Sequence, residues 1–264
     1  MPTGQHRLQR SFSPRCLQGR EHQTMAEPPK DHNDKNLRKP GTKALRPRDA
    51  ATLVLYRKAG RKIEVVMGER HGKHSFMPNN WVFPGGGVER TDWRVRGAND
   101  LQPHVAAHLG KAATAARVRA LAAAAIRETF EETGLILGKP DPEPEKSVPR
   151  NWRDFFATGH APDFEALEYV YRAITPPYRP RRFNARFFMA DADRLANEVI
   201  ESSGELLDIH WVTIEKALTL PIPRITGVVL RTIEDNLENP PPRSGEHKVP
   251  LFRYLHGKHL DLEE

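Results

Sequence analysis
The chain has 264 residues, 38% of them hydrophobic, which allows one well-buried domain with extensions. No apolar run approaches the ~18 residues a membrane span needs. Eleven of the 41 Lys and Arg, but only four of the 34 Asp and Glu, lie in residues 1–48, so the whole formal charge of +7 sits there and the remainder carries 30 of each sign. A balanced body argues against a nucleic-acid surface, and the single cysteine, Cys16, allows no intrachain disulfide and fits a reducing, cytoplasmic setting.

Residues 1–48 form a basic leader rich in Pro, Gly and polar residues, expected to be disordered. Its first two dozen residues have something of a mitochondrial transit composition, with Met25 as an alternative start, and they are left out of the fold argument. A domain is expected from 49 to 240. It opens with a hairpin, in which Ala51–Tyr56 and Ile63–Met67 flank a polar turn at Arg57–Lys62. The basic loop Arg70–His74 follows, either a solvated turn or a holder of substrate phosphates through Arg70.

Next, Trp81-Val-Phe83 and Pro84 lead into Gly85-Gly86-Gly87, which reads as a strand turning through conformations glycine adopts easily and aiming backbone carbonyls at a metal. Residues 93–111 are polar, then helical from His104. Ala112–Thr133 reads as one alanine-rich helix that Gly134 closes in a left-handed cap. Near its end Glu128, Glu131 and Glu132, at i, i+3 and i+4, share one face, repel one another and crowd the negative end of the helix dipole. Arg127 can pair with Glu131; a hard divalent cation, which prefers oxygen ligands, fits the three carboxylates better, and a solvated acidic helix end is the alternative.

After a Pro-rich linker, Trp152–Phe156 and Phe164–Ala173 read as two short helices of an auxiliary region covering about 150–174. Thr175–Asn184, extended by its prolines, leads into the strand Ala185–Ala190 and carries an arginine cluster, from which Arg182 and Arg186 are taken as phosphate ligands. Glu205–Val212 is a further strand, Thr213 caps a short helix, and Ile225–Leu237 has the spacing of an amphipathic helix opened by Pro223. The tail, 241–264, is apolar enough around Val249–Leu255 to dock on the domain.

The glycine run and the glutamate helix together resemble the signature of the Nudix hydrolase superfamily, Gly-x5-Glu-x7-Arg-Glu-U-x-Glu-Glu-x-Gly-U, with U aliphatic. Arg127, Glu128, Glu131, Glu132, Gly134 and Leu135 match its second half, with Thr129 at the first U position. The match is interrupted. Asp92 stands six residues after Gly86 where the family has Glu, and Arg127 follows Gly86 by 41 positions where the family has 14, an insertion of 27 residues. A box split in this way resembles the branch containing the peroxisomal coenzyme A diphosphatases.

The resemblance implies an α/β/α sandwich around a mixed sheet, with a small helical auxiliary region. It implies hydrolysis of the phosphoanhydride in a nucleoside diphosphate linked to another group, with Mg2+ or Mn2+ held by Glu128, Glu131, Glu132 and a carbonyl of Gly85. Glu128 or Glu205 would be the general base, ionised at neutral pH by the nearby cations, with Arg127 beside it. Coenzyme A and acyl-coenzyme A are suggested by the split box alone; ADP-ribose, dinucleotides and sugar nucleotides stay open, as does a homodimer. A non-catalytic sensor of a nucleotide derivative is the alternative, favoured by Asp92 and the insertion and disfavoured by the intact carboxylates.

Overall fold
The computed structural model describes residues 43–71, 79–142, 147–202, 204–244, 247–255 and 258–264, all within one compact unit, 31–264. Most of the leader, Cys16 and most of the basic loop after Arg70 lie outside the described residues. The strands in chain order are β1 (Arg48–Ala59), β2 (Lys62–Arg70), β3 (Trp81–Val82), β4 (Gly85–Gly87), β5 (Gly138–Pro140), β6 (His160–Pro162), β7 (Glu168–Ile174), β8 (Phe183–Asp191), β9 (Leu206–Thr213), β10 (Pro250–Leu255) and β11 (Lys258–Glu263). The helices are α1 (Pro103–Gly110), α2 (Ala115–Thr133), α3 (Arg153–Ala157), α4 (Ile214–Ala217) and α5 (Arg224–Glu238).

β1 is the axis of a mixed sheet. Its second half pairs antiparallel with β2 across the turn at Gly60, its first half pairs antiparallel with β4, and on its other side it runs parallel to β8. β7 lies antiparallel to β8 and carries the tail as a parallel strand, β10, which β11 closes. β3 and β9 both pair with β2, while β5 and β6 form a separate ribbon.

Residues alternate across β1, as a half-buried strand requires. Ala51, Leu53 and Leu55 pack into a core with α2, and Val54 faces the opposite core with Val229, Leu230 and Ile233 of α5. The result is an α/β/α sandwich. Thr114 caps α2, its hydroxyl accepting from the Arg117 N–H, and Gly134 ends the helix at φ 70°. The run Ala120–Ile126 is buried on every side, since the helix packs between the sheet and the insertion and its alanines allow close approach.

Two local expectations are corrected. Phe164–Ala173 is not a helix: a 3-10 turn, Phe164–Ala166, is followed by β7 within the main sheet. Phe164, Leu167 and Tyr171 have helical spacing, but β8 offers hydrogen-bond partners along the segment, and aromatic and β-branched residues at Tyr169, Val170 and Tyr171 fit a pleated surface. The helical turns of the auxiliary region are the 3-10 turns at Arg150–Trp152 and Phe164–Ala166, together with α3. The glycine run is likewise a short strand, β4, and not a turn, because β1 extends past its hairpin partner and needs another.

Ile233 is fully buried at the centre of α5, so Ile233→Ala should cost about 2–5 kcal/mol in urea unfolding. Leu45→Ala, at an exposed position, should stay within about 0.5 kcal/mol.

Candidate active site
α2 lies along β4, and its last turns set the carboxylates against the glycines. A Cβ at Gly86 would stand 2.4 Å from the Glu128 carboxyl carbon, so a side chain there would push the Glu128 carboxylate out of its place. One residue earlier, the Gly85 N–H donates to Glu132 Oε2 at 2.9 Å. A Cβ at Gly85 would lie 2.7 Å from the Ala51 carbonyl oxygen, so this strand can seat on β1 and meet the acids only as glycine.

Arg127 is buried beside these carboxylates and anchors the end of the helix. Its Nε and one Nη donate to the two oxygens of Asp92 at 2.9 and 3.1 Å, a bidentate pair, and the same Nη donates to the Gly87 carbonyl at 3.0 Å. Its other Nη reaches Glu131 Oε2 at 2.8 Å and Glu128 Oε1 at 2.9 Å. Asp92, fully buried, also accepts from the Trp152 indole at 3.0 Å and from the Glu89 N–H at 2.8 Å. Asp92 therefore keeps an acid against Arg127 at the box position where the sequence departs from Glu. Thr129, at the box position meant for an aliphatic residue, is buried with its hydroxyl donating to the Ala125 carbonyl at 2.9 Å.

Burial pushes Glu128 up to about 7 despite Arg127 and pushes Glu132 up to about 8, with the neighbouring Glu128 charge adding to the effect on Glu132. The Glu205 charge acts on both in the same direction, and Arg70 acts on Glu132 in the opposite one. Glu131 is also raised by burial, but its carboxylate is the most exposed of the three and is held by Arg127. Without a bound cation the base expected to be ionised is thus held near neutrality, because burial outweighs the guanidinium.

The chain is similar to "Putative nudix hydrolase 7" of Caenorhabditis elegans, 30% identical over 189 residues, covering 62% of this chain and 51% of that one. It therefore spans about half the length of this relative. It is similar too to the crystal structure of a NUDIX hydrolase from Alicyclobacillus acidocaldarius, at 27% identity and a TM-score of 0.55, over 70% of this chain and 90% of that one. No family model matches the chain. In sequence and in fold the chain is similar to Nudix hydrolases.

The fold brings Gly85, Gly86, Glu128 and Glu132 together, and the charges of Glu205 and Arg70 are felt at Glu132. Arg182 and Arg186 make their contacts elsewhere. Arg182 donates to the carbonyls of Thr175 at 3.0 Å and Leu45 at 2.7 Å, tying the approach to β8 to the segment before β1. Arg186 is buried, with Nη1 on Asp49 at 3.0 Å; Asp49 also takes the Arg117 fork from α2. Sequence reasoning passed over this Asp49–Arg117 link and the Trp152 indole. Their partners are 68 and 60 residues away, so no local spacing announces them.

Two outcomes test this geometry. Asp92→Ala leaves the buried Arg127 with less than its full set of partners and should cost about 3–5 kcal/mol, whereas Trp152→Phe removes one hydrogen bond and should cost roughly 1–3 kcal/mol, both read by urea unfolding. The second concerns pH. Carboxyls near 7 and 8 in the fold, against 4.5 when unfolded, stay protonated longer in the folded state. Metal-free protein should therefore be most stable below pH 4.5 as far as these groups are concerned, and lose that contribution as pH rises toward 8. Glu132→Gln should flatten the slope.

Proposed function
We propose that the chain is a metal-dependent Nudix pyrophosphohydrolase that cleaves the phosphoanhydride of a nucleoside diphosphate linked to another group, with coenzyme A and acyl-coenzyme A among the candidate substrates. The observation that supports it is the pair of buried carboxylates, Glu128 and Glu132, seated on Gly86 and Gly85 and held near neutrality by burial. A fold gains nothing in stability from such a pair. Protons or a cation relieve it.

Among the described residues, no three His, Cys, Asp or Glu side chains are grouped as a metal site. The donor chemistry nevertheless fits Mg2+ or Mn2+: hard carboxylate oxygens, anionic and poorly solvated, beside backbone that can approach closely because it has no side chains. Glu128 and Glu132 would hold the ion with a Gly85 carbonyl, and Glu131 would join them if its contact with Arg127 loosened. A bound ion supplies charge neutralisation at the diphosphate and activation of water.

The residues do the rest. With a cation beside it Glu128 would be ionised and could take a proton from attacking water at neutral pH, and Glu205 is the second candidate for that role. Arg127 is a positioning residue, orienting Glu128 and Glu131 from a fixed base on Asp92. Arg70, whose charge favours ionised Glu132, can hold phosphate oxygens. Arg182 and Arg186 would bind substrate only through the N–H groups left over from their carbonyl and carboxylate partners.

The test is a panel of nucleoside diphosphate derivatives, coenzyme A included, incubated with the whole chain and Mg2+ or Mn2+, with products identified by mass. Cleavage into two phosphate monoesters is expected for at least one of them, and no cleavage with either metal would overturn the proposal. Glu132→Gln should lower kcat by about a hundredfold or more. Its metal-free unfolding midpoint at pH 8 should stay level or rise, since a buried repulsion is gone.

A further inference from the structure
Immediately after Asp92 the insertion builds a cavity of about 320 Å3, its walls including Trp93, Arg94, Arg96, Asn99, Arg119 and Phe164. The insertion wall is fixed by its own contacts. A Cβ on Gly97 would come within 2.6 Å of the Phe164 ring, and the Ala98 N–H donates to the Pro162 carbonyl at 2.9 Å. Asn99 donates to Asp163 at 2.6 Å and accepts the Glu165 N–H at 2.9 Å, and Arg96 forks onto Asp141 at 3.1 and 3.0 Å. The site is preformed, which lowers the ordering cost of any ligand.

The charges around it are unequal in their satisfaction. Arg96 is paired with Asp141, and outside the cavity Arg194 and Lys139 pair with Asp163 and Glu165. Arg94 and Arg119 have no ion pair or hydrogen bond from their side chains among the described residues, although they come from different elements and line one cavity. Neither guanidinium is neutralised by a carboxylate partner, and both carry planar N–H forks suited to phosphate oxygens. Trp93, with 44% of its surface exposed, offers an aromatic face in the same wall, unusual for a large indole unless something covers it. Asp100, also in the lining, is the one opposing charge.

We infer that this cavity binds a phosphate monoester attached to a planar or apolar group, the phosphate on Arg94 and Arg119 and the adjoining group against Trp93. From Arg119 to Glu128 is roughly 13 Å along the α2 axis, at about 1.5 Å per residue. Two sources share the chemistry: a phosphate carried by the hydrolysed molecule at a distance from its diphosphate, or a separate phosphorylated ligand. Binding here does not depend on the proposed hydrolysis.

The probes are phenyl phosphate and inorganic phosphate, titrated into the metal-free whole chain by calorimetry and by the change in tryptophan fluorescence, with phenol as the control lacking phosphate. Phenyl phosphate should bind more tightly than inorganic phosphate, and phenol should not bind. Arg94→Ala and Arg119→Ala should each weaken phenyl phosphate about tenfold or more, Arg94→Lys should restore part of that, and Asp100→Asn should tighten it a few-fold. Trp93→Leu should weaken phenyl phosphate and leave inorganic phosphate unchanged. Both arginines are exposed, so the variants should keep the wild-type unfolding midpoint; the fold-neutral Arg94→Lys serves if one does not.

Competition between phenyl phosphate and the panel's diphosphates would assign the phosphate to the hydrolysed molecule, and independent binding would assign it to a separate ligand. No binding at millimolar probe, or equal binding by wild type and both alanine variants, would overturn the inference. A chain inactive on every diphosphate but binding phenyl phosphate through Arg94 and Arg119 would sink the hydrolase reading and leave this one standing.

Discussion
The structure depends on one buried ion pair. Arg127 and Asp92 are both removed from solvent, a state tolerated only because each is saturated with partners. Through those partners four parts of the chain meet at one point: the Glu89 N–H from the loop after the glycine strand, the Gly87 carbonyl of that strand, the Trp152 indole from the auxiliary region, and Glu128 and Glu131 on α2. The insertion begins at the next residue. The 27 extra residues thus interrupt the signature without separating its halves, since the segment is entered at Asp92 and continues into α2. Loop closure at that length adds little entropy once both ends are held.

On this base the fold carries a deliberate conflict. The i, i+3, i+4 carboxylates could have pointed to water, where repulsion costs tenths of a kcal/mol. Instead Glu128 and Glu132 lean over glycine backbone, and desolvation, the larger effect, moves them toward neutral pH. Glu131 escapes toward solvent and Arg127. Three identical side chains at most four residues apart thus have different environments, decided by which face of α2 meets β4.

Much of this was legible locally. The hairpin of β1 and β2, the alanine-rich helix with its Gly134 cap, the amphipathic α5 and the capped α4 all follow from periodicity and terminal residues, because their burial is one-sided or their caps are adjacent in sequence. The Arg127–Glu131 pair is a four-residue relation and was readable for the same reason. Segments whose partners come from far along the chain were not. Phe164–Ala173 has helical spacing and becomes strand only because β8 lies beside it, and the glycine run becomes strand only because β1 is longer than its hairpin partner. Arg182, extended by neighbouring prolines, looked available for phosphate; its donors meet carbonyls as far as 137 residues away.

The sequence by itself determined the chemistry on offer: which acids share a helix face, where glycine leaves backbone bare, and where the charge of the leader ends. Those are properties of composition and short-range geometry, and they survive any packing. Only the tertiary structure decided which acids are buried, that Asp92 serves as the anchor of Arg127, and that Arg94 and Arg119 line one cavity. Burial and charge pairing are set by neighbours dozens of residues away, and a single chain read in order does not contain that distance.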